Sequence, residues 1–147
     1  NSAQDDGQWH HWMIFNDVSD TEGMKMYVDG VQLDFNSDRS SGTPGVHTQG
    51  LTIGGSKHDT TANQHAECSL TNFAVFSGDK TDDASAHYNN GIPKDLSGES
   101  DLQGYWKMDE GSGSTVKDHS GNGNTGTIEN GAVWLTAMEI DTVGNKV

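Results

Sequence analysis

The stretch Gln8-Trp-His-His-Trp-Met-Ile-Phe-Asn16 carries the strongest strand pattern in the chain. Successive side chains of a strand point to opposite faces, so Trp9, His11, Met13 and Phe15 share one face while Trp12 and Ile14 share the other. Both faces are apolar, which predicts the central strand of a sandwich. After a turn-like segment from Asp17 to Gly23, Met24, Met26 and Val28 alternate with Lys25, Tyr27 and Asp29, the pattern of a half-buried strand. Asp29-Gly30 is a two-residue hairpin signal, and Val31, Leu33 and Phe35 resume the alternation beyond it. Together the three segments predict a meander.

Working outward, Leu51 to Gly54 reads as a short strand and Ser56 to Glu67 as a polar loop. Leu70 to Phe76 is a further strand, with Cys68 packed just before it. Thr81 is placed to cap a short helix running through Asn90, with Asp82 and Asp83 in its first turn. Asn90-Gly91 ends that helix and Pro93 prevents its continuation. Gln103 to Met108 is strand-like around Tyr105 and Trp106. The run from Glu110 to Gly126 holds five glycines and reads largely as turns, with Thr127-Ile128 and Ala132 to Ala137 as the last strands. Many short strands, one short helix and glycine-rich turns predict an all-β fold, a β-sandwich.

The composition limits what such a fold does. At 147 residues there is room for one domain. The net charge is −14, with 8 basic residues among 22 acidic ones, which excludes nucleic acid and disfavours an anionic membrane surface. No apolar run is long enough to span a bilayer. Leu, Ile, Val and Phe make up only about 16% of the chain, a thin core for its length. With Cys68 the sole cysteine, neither an internal disulfide nor a thiolate metal cluster is possible. The chain begins with Asn rather than Met, which fits a processed chain or a piece of something longer.

Gln8-Trp-His-His-Trp12, Met26-Tyr-Val-Asp-Gly30 and Leu51-Thr-Ile-Gly-Gly55 together resemble the second half of laminin-G-like domains, a branch of the concanavalin-type lectin and glucanase sandwiches. Leu70 to Phe76, with the helix ending Tyr88-Asn-Asn-Gly91, is similar to the end of such a domain. Gly104-Tyr-Trp-Lys-Met-Asp-Glu-Gly-Ser-Gly-Ser114, through Asp118-His-Ser-Gly-Asn-Gly-Asn-Thr-Gly126, is similar to its beginning. The resemblance implies a jelly-roll sandwich whose pieces stand in reversed order and whose middle strands are missing. Residues 1–95 would be the C-terminal half, 96–102 a linker, and 103–147 the start of a domain packing on the same or a neighbouring sandwich. A circular permutation, a fragment of a tandem array, or a tail completing a neighbouring molecule each account for that order. Completion by another chain or segment is the favoured expectation, with Tyr105 and Trp106 in a strand paired to the sheet carrying Gln8 to Asn16.

Four chemistries compete for the polar residues. Asp118, Ser120, Asn122 and Gly123, with Glu129, fall at positions resembling a calcium loop, where alternate oxygen ligands wrap a hard cation. A plain turn using Asn and Gly for positive φ ranks ahead of that reading, and calcium stays as the cofactor expectation. Glu139-Ile-Asp-Thr-Val-Gly144 resembles the retaining β-glucanase motif, but Gly144 stands where the acid/base carboxylate belongs. His10 and His11 point to opposite faces and cannot chelate one ion; His11 reads as a hydrogen-bonded core residue. For a sugar, Trp12, Tyr27, Tyr88 and Trp134 are stacking platforms, with polar partners in the loop from Lys57 to His65, His58 and His65 foremost.

These readings imply a non-catalytic, lectin-like recognition or adhesion module, glycan-directed by family resemblance, at a cell exterior or virion surface. The rival is an architectural or decoration protein of a virus particle or extracellular filament, with neighbouring chains as its partners. Glycoside hydrolysis is a remote third.

Overall fold

A computed structural model describes residues 6–16, 24–34, 50–55 and 66–135. Its strands are β1 (Trp12–Asn16), β2 (Met24–Val28), β3 (Val31–Gln32), β4 (Phe73–Phe76), β5 (Leu102–Trp106), β6 (Thr115–Val116) and β7 (Gly126–Thr127). The helix α1 (Ala84–Tyr88) is flanked by single 3-10 turns, Thr81–Asp83 and Asn89–Gly91. Strand outweighs helix among the described residues, as the sequence predicts. The strands form a β1-β2-β3 sheet and two separate pairs, β4-β5 and β6-β7.

The first sheet is the predicted meander. Trp12 lies opposite Val28 and Ile14 opposite Met26, while Val28 in turn lies opposite Val31. Asp29 and Gly30 both take positive φ, 52° and 77°, as a tight hairpin between right-twisting strands requires. The Asp29 carboxylate also clamps the entry to β1. Its Oδ1 accepts the His11 N–H at 2.9 Å, and its Oδ2 lies 2.8 Å from His10 Nδ1. The prediction of a central strand is corrected. Among the described residues β1 stands at the edge of its sheet, with Met13 and Phe15 half-buried and Trp12 and Ile14 exposed. Its two apolar faces meet different surroundings, which alternation alone does not reveal.

The core lies under β4-β5. Leu96, Leu102 and Tyr105 form it, with Ala74 and Phe76 packed alongside. Tyr105 is 1% exposed; its hydroxyl donates to Asn72 Oδ1, and the Lys94 carbonyl lies 3.1 Å from the same oxygen. Phe73 pairs with Trp106 and Ala74 with Tyr105, so β5 is paired within the chain, to β4. This corrects the expected partner, which was the sheet carrying Gln8 to Asn16. Leu96 comes from the polar connection between helix and strand, where a single leucine gives no periodic signal.

Other boundaries shift. Leu51 to Gly54 forms no strand, and Leu51 is exposed. The described part of Ala132 to Ala137 is likewise not a strand, whereas Thr115–Val116, read as turn, pairs with Gly126–Thr127. The acceptor at the helix start is Asp79 Oδ1, 2.8 Å from the Thr81 N–H, rather than the Thr81 hydroxyl. α1 closes at Asn89, whose left-handed φ of 47° Asn tolerates better than most residues. Cys68 is exposed rather than packed. No helix among the described residues is long and apolar enough to cross a membrane.

Candidate functional site

Three features stand out: an open apolar face, a saturated carboxylate and a small donor cluster. The face belongs to β1-β2-β3. Residues directly opposite in an antiparallel ladder share a face, so Trp12, Val28 and Val31 form one row and Ile14 with Met26 the next. Trp12 is 47% exposed, Ile14 61% and Val31 68%, whereas Val28 between Trp12 and Val31 is buried and Met26 half-buried, so the face is open at its margins. None of these residues carries a charge, on a chain whose net charge is −14. Trp9, just before the strand, is exposed as well.

Tyr27 falls on the opposite face, opposite Met13, and is buried with its hydroxyl bonded to Gln32 Oε1 at 3.3 Å. It cannot serve as a sugar platform, which corrects that expectation. Tyr88 and Trp134 are half-buried; Tyr88 packs near His11, and Trp134 Nε1 donates to the Gly113 carbonyl at 2.8 Å. Of the four predicted platforms, Trp12 presents an exposed ring. His58, His65, Glu139 and Gly144 lie outside the described residues.

Asp118 is the saturated carboxylate. Its Oδ1 accepts the N–H groups of Tyr105 at 3.0 Å and Ser120 at 2.8 Å. Its Oδ2 accepts the Asn124 N–H at 2.8 Å and Asn124 Nδ2 at 3.0 Å. A carboxylate offers about four lone-pair sites, and all four are taken. Burial pushes this carboxyl up, but the donors of Ser120, Asn124 and Tyr105 outweigh it and hold it well below the usual carboxylate range. Asn122 Nδ2 donates to the carbonyls of Leu102 and Gln103, each at 3.1 Å, and Ser120 Oγ to Gln103 at 3.3 Å. The residues predicted to ligate calcium therefore tie their own loop to β5. Glu129 is exposed beyond β7. A cation in this loop would have to displace the donors that shape it.

The donor cluster sits beside that knot. One ligand atom each from Asp109, Glu110 and His119 lies within 4.8 Å of the others. Met108 and Gly111, with φ of 58° and 66°, bend the chain on either side of the two acids. His119 is positioned by its N–H, which donates to the Tyr105 carbonyl at 2.7 Å. Glu110 Oε1 accepts the Lys117 N–H at 2.7 Å, while Oε2 is closed to solvent without a hydrogen-bond partner. Two carboxylates and an imidazole suit a divalent ion of the Mn or Zn type better than calcium, which prefers oxygen alone. The sequence reading missed this group because its members are brought together only where Trp106 bridges to Asp118.

No family model matches the chain, and no curated protein or solved structure does either. The likeness to laminin-G-like domains rests on the residues that carry it.

Proposed function

We propose that this chain is a non-catalytic recognition and adhesion module, acting at a cell exterior or virion surface, that binds glycans through the open face of β1-β2-β3. The observation that supports this reading is the exposure of Trp12 on an uncharged sheet face. An indole presented in this way can stack against the apolar face of a sugar ring, with neighbouring polar groups orienting the hydroxyls. In this reading the fold is a jelly-roll sandwich of laminin-G-like type. A divalent ion would sit at Asp109, Glu110 and His119 rather than in the Asp118 loop, and would be structural.

A second reading draws on Ile14 and Val31. Aliphatic side chains this exposed are better covered by protein than by sugar, which favours an architectural module completed by a neighbouring chain. A panel of immobilised glycans separates the two. The recognition reading expects retention that Trp12→Ala weakens by about tenfold or more, since a buried aromatic anchor contributes at least that much. Absence of retention together with concentration-dependent association of the chain favours the architectural reading. Incubation with mixed-linkage and β-1,3-glucans should release no reducing ends. Turnover abolished by Glu139→Gln would overturn the non-catalytic reading.

A further inference from the structure

One side chain just before β1 faces two carboxylates from different parts of the chain. His10 Nδ1 lies 2.8 Å from Oδ2 of Asp29, at the turn between β2 and β3. His10 Nε2 lies 3.1 Å from Oδ1 of Asp6, in the segment leading into β1. A neutral imidazole has one N–H and one lone pair, so it can satisfy one of these oxygens and turns its lone pair on the other. Both bonds form together only when the ring carries two protons, and each is then charge-assisted. The neighbouring His11 makes no such pair. Its ring is half-buried near Tyr88, and its Nδ1 is closed to solvent without a hydrogen-bond partner. This corrects the expectation that His11 is a hydrogen-bonded core residue.

The two arms are built differently. Asp29 is fixed by the sheet: its N–H donates to the His11 carbonyl at 2.9 Å, and its Oδ1 accepts the His11 N–H at 2.9 Å. Its second oxygen is thereby held against the His10 ring. Asp6 is held by its own turn, in which Gly7 takes a φ of 80° and the Gln8 N–H donates to Asp6 Oδ1 at 2.8 Å. The Asp29 bond is the shorter, and the Asp29 side chain is 30% exposed against 48% for Asp6. A ring left with one proton therefore keeps it on Nδ1, toward Asp29. Among the described residues, Asp6 and Asp29 are the charged groups that act on His10, and His11 is the other titratable group that acts on Asp29.

We propose that Asp6, His10 and Asp29 form a proton-operated clasp, which fastens residues 6–9 to the β1-β2-β3 sheet while the ring carries both protons and frees them when Nε2 loses its own. The bonds to Asp29 and Asp6 raise the pKa of His10 above its ordinary value of 6.5. The clasp is therefore complete below 6.5 and is lost as pH rises through the raised value. The ratio of fastened to free segment changes there by up to about tenfold per pH unit. In acid the carboxylates set the limit. The Gln8 N–H and then the His10 ring hold Asp6 below 3.8. Burial pushes Asp29 up, but the bonds from His10 and the His11 N–H outweigh it and hold it below 3.8 as well. Their contribution is complete above 3.8 and is lost as pH falls through the lowered values, so the clasp is whole between 3.8 and 6.5. What moves on release is the stretch holding Trp9, whereas β1 keeps its ladder to β2.

Imidazole nitrogen and backbone amide resonances of the full chain, followed from about pH 5 to about pH 9, test the clasp. His10 should titrate with a midpoint above 6.5, and its neutral form should carry the proton on Nδ1. The amides of Gln8 and Trp9 should move with that same midpoint, while cross-strand contacts between β1 and β2 persist. Asp6→Asn, at an exposed position, should bring the His10 midpoint down and leave those cross-strand contacts unchanged. A wild-type midpoint at or below 6.5, a neutral ring protonated on Nε2, or Gln8 and Trp9 amides unmoved through the transition would each overturn the proposal. An Asp6→Asn midpoint equal to that of wild type would overturn it too. The wild-type titration decides the matter even if the variant fails to fold.

Discussion

Asp118→Ala is expected to lower stability by about 3–5 kcal/mol, because it removes several charge-assisted hydrogen bonds at once and leaves a buried donor unpaired. The donor that matters most is the N–H of Tyr105, the most deeply buried large side chain of the core. Without the carboxylate, the turn from Asp118 to Asn124 loses its centre, and with it the Trp106 Nε1 bond to the Asn124 carbonyl at 2.8 Å. Asp118→Asn keeps the shape but places amide hydrogens against existing donors, so it should recover little of the loss. Thermal or urea unfolding measures this directly, with a melting temperature lower by about 10 °C or more. Asp109→Ala, which touches none of these bonds, should stay near wild type; an Asp118→Ala protein of equal stability would show that the knot is ornamental. Because this carboxyl's pKa is depressed, its contribution is complete above the ordinary value of 3.8 and fades only as pH falls well below it.

Gly104→Ala is the second large effect, with an expected cost of about 1–3 kcal/mol from overpacking. Gly104 is buried within β5, and the indole of Trp106 lies across the space where a side chain would stand. A Cβ there would come within 2.8 Å of Trp106 Cζ3, closer than real Cβ contacts allow. The ring is anchored at its far edge by Asn124, so it can yield only by giving up that bond. Unfolding midpoints report the cost, and the indole N–H exchange rate of Trp106 reports the cause. Slow exchange retained in a fully stable variant would show that the ring has room to move.

Much of the local structure was legible in the sequence. The alternation from Met24 to Val31 and the Asp29-Gly30 turn specified a hairpin that the structure reproduces almost residue for residue. The helix near Thr81 to Asn90 was legible from its turn residues, although the acceptor at its start proved to be Asp79. Long-range pairing was not legible. Nothing in the pattern of Leu102 to Trp106 says that its neighbour is Phe73 to Phe76 rather than Trp12 to Asn16, since all three are short apolar runs. Asp118 was visible as a special residue, but its spacing to Ser120 and Asn122 fits a cation loop as well as the turn that ranked ahead of it. Its partners on β5 decide between those roles, and they lie some 13 residues away. The Asp109, Glu110 and His119 group was invisible for the same reason, because proximity there comes from a turn and a single bridge.

The recognition reading is tested most directly by mapping amide and indole resonance changes when the full chain is titrated with an oligosaccharide that the glycan panel retains. The expected result is a set of perturbations centred on the Trp12 indole and the backbone of Ile14 and Val31, with little change at Leu102 to Trp106. Perturbations centred instead on Asp109, Glu110 and His119, with Trp12 unmoved, would contradict it.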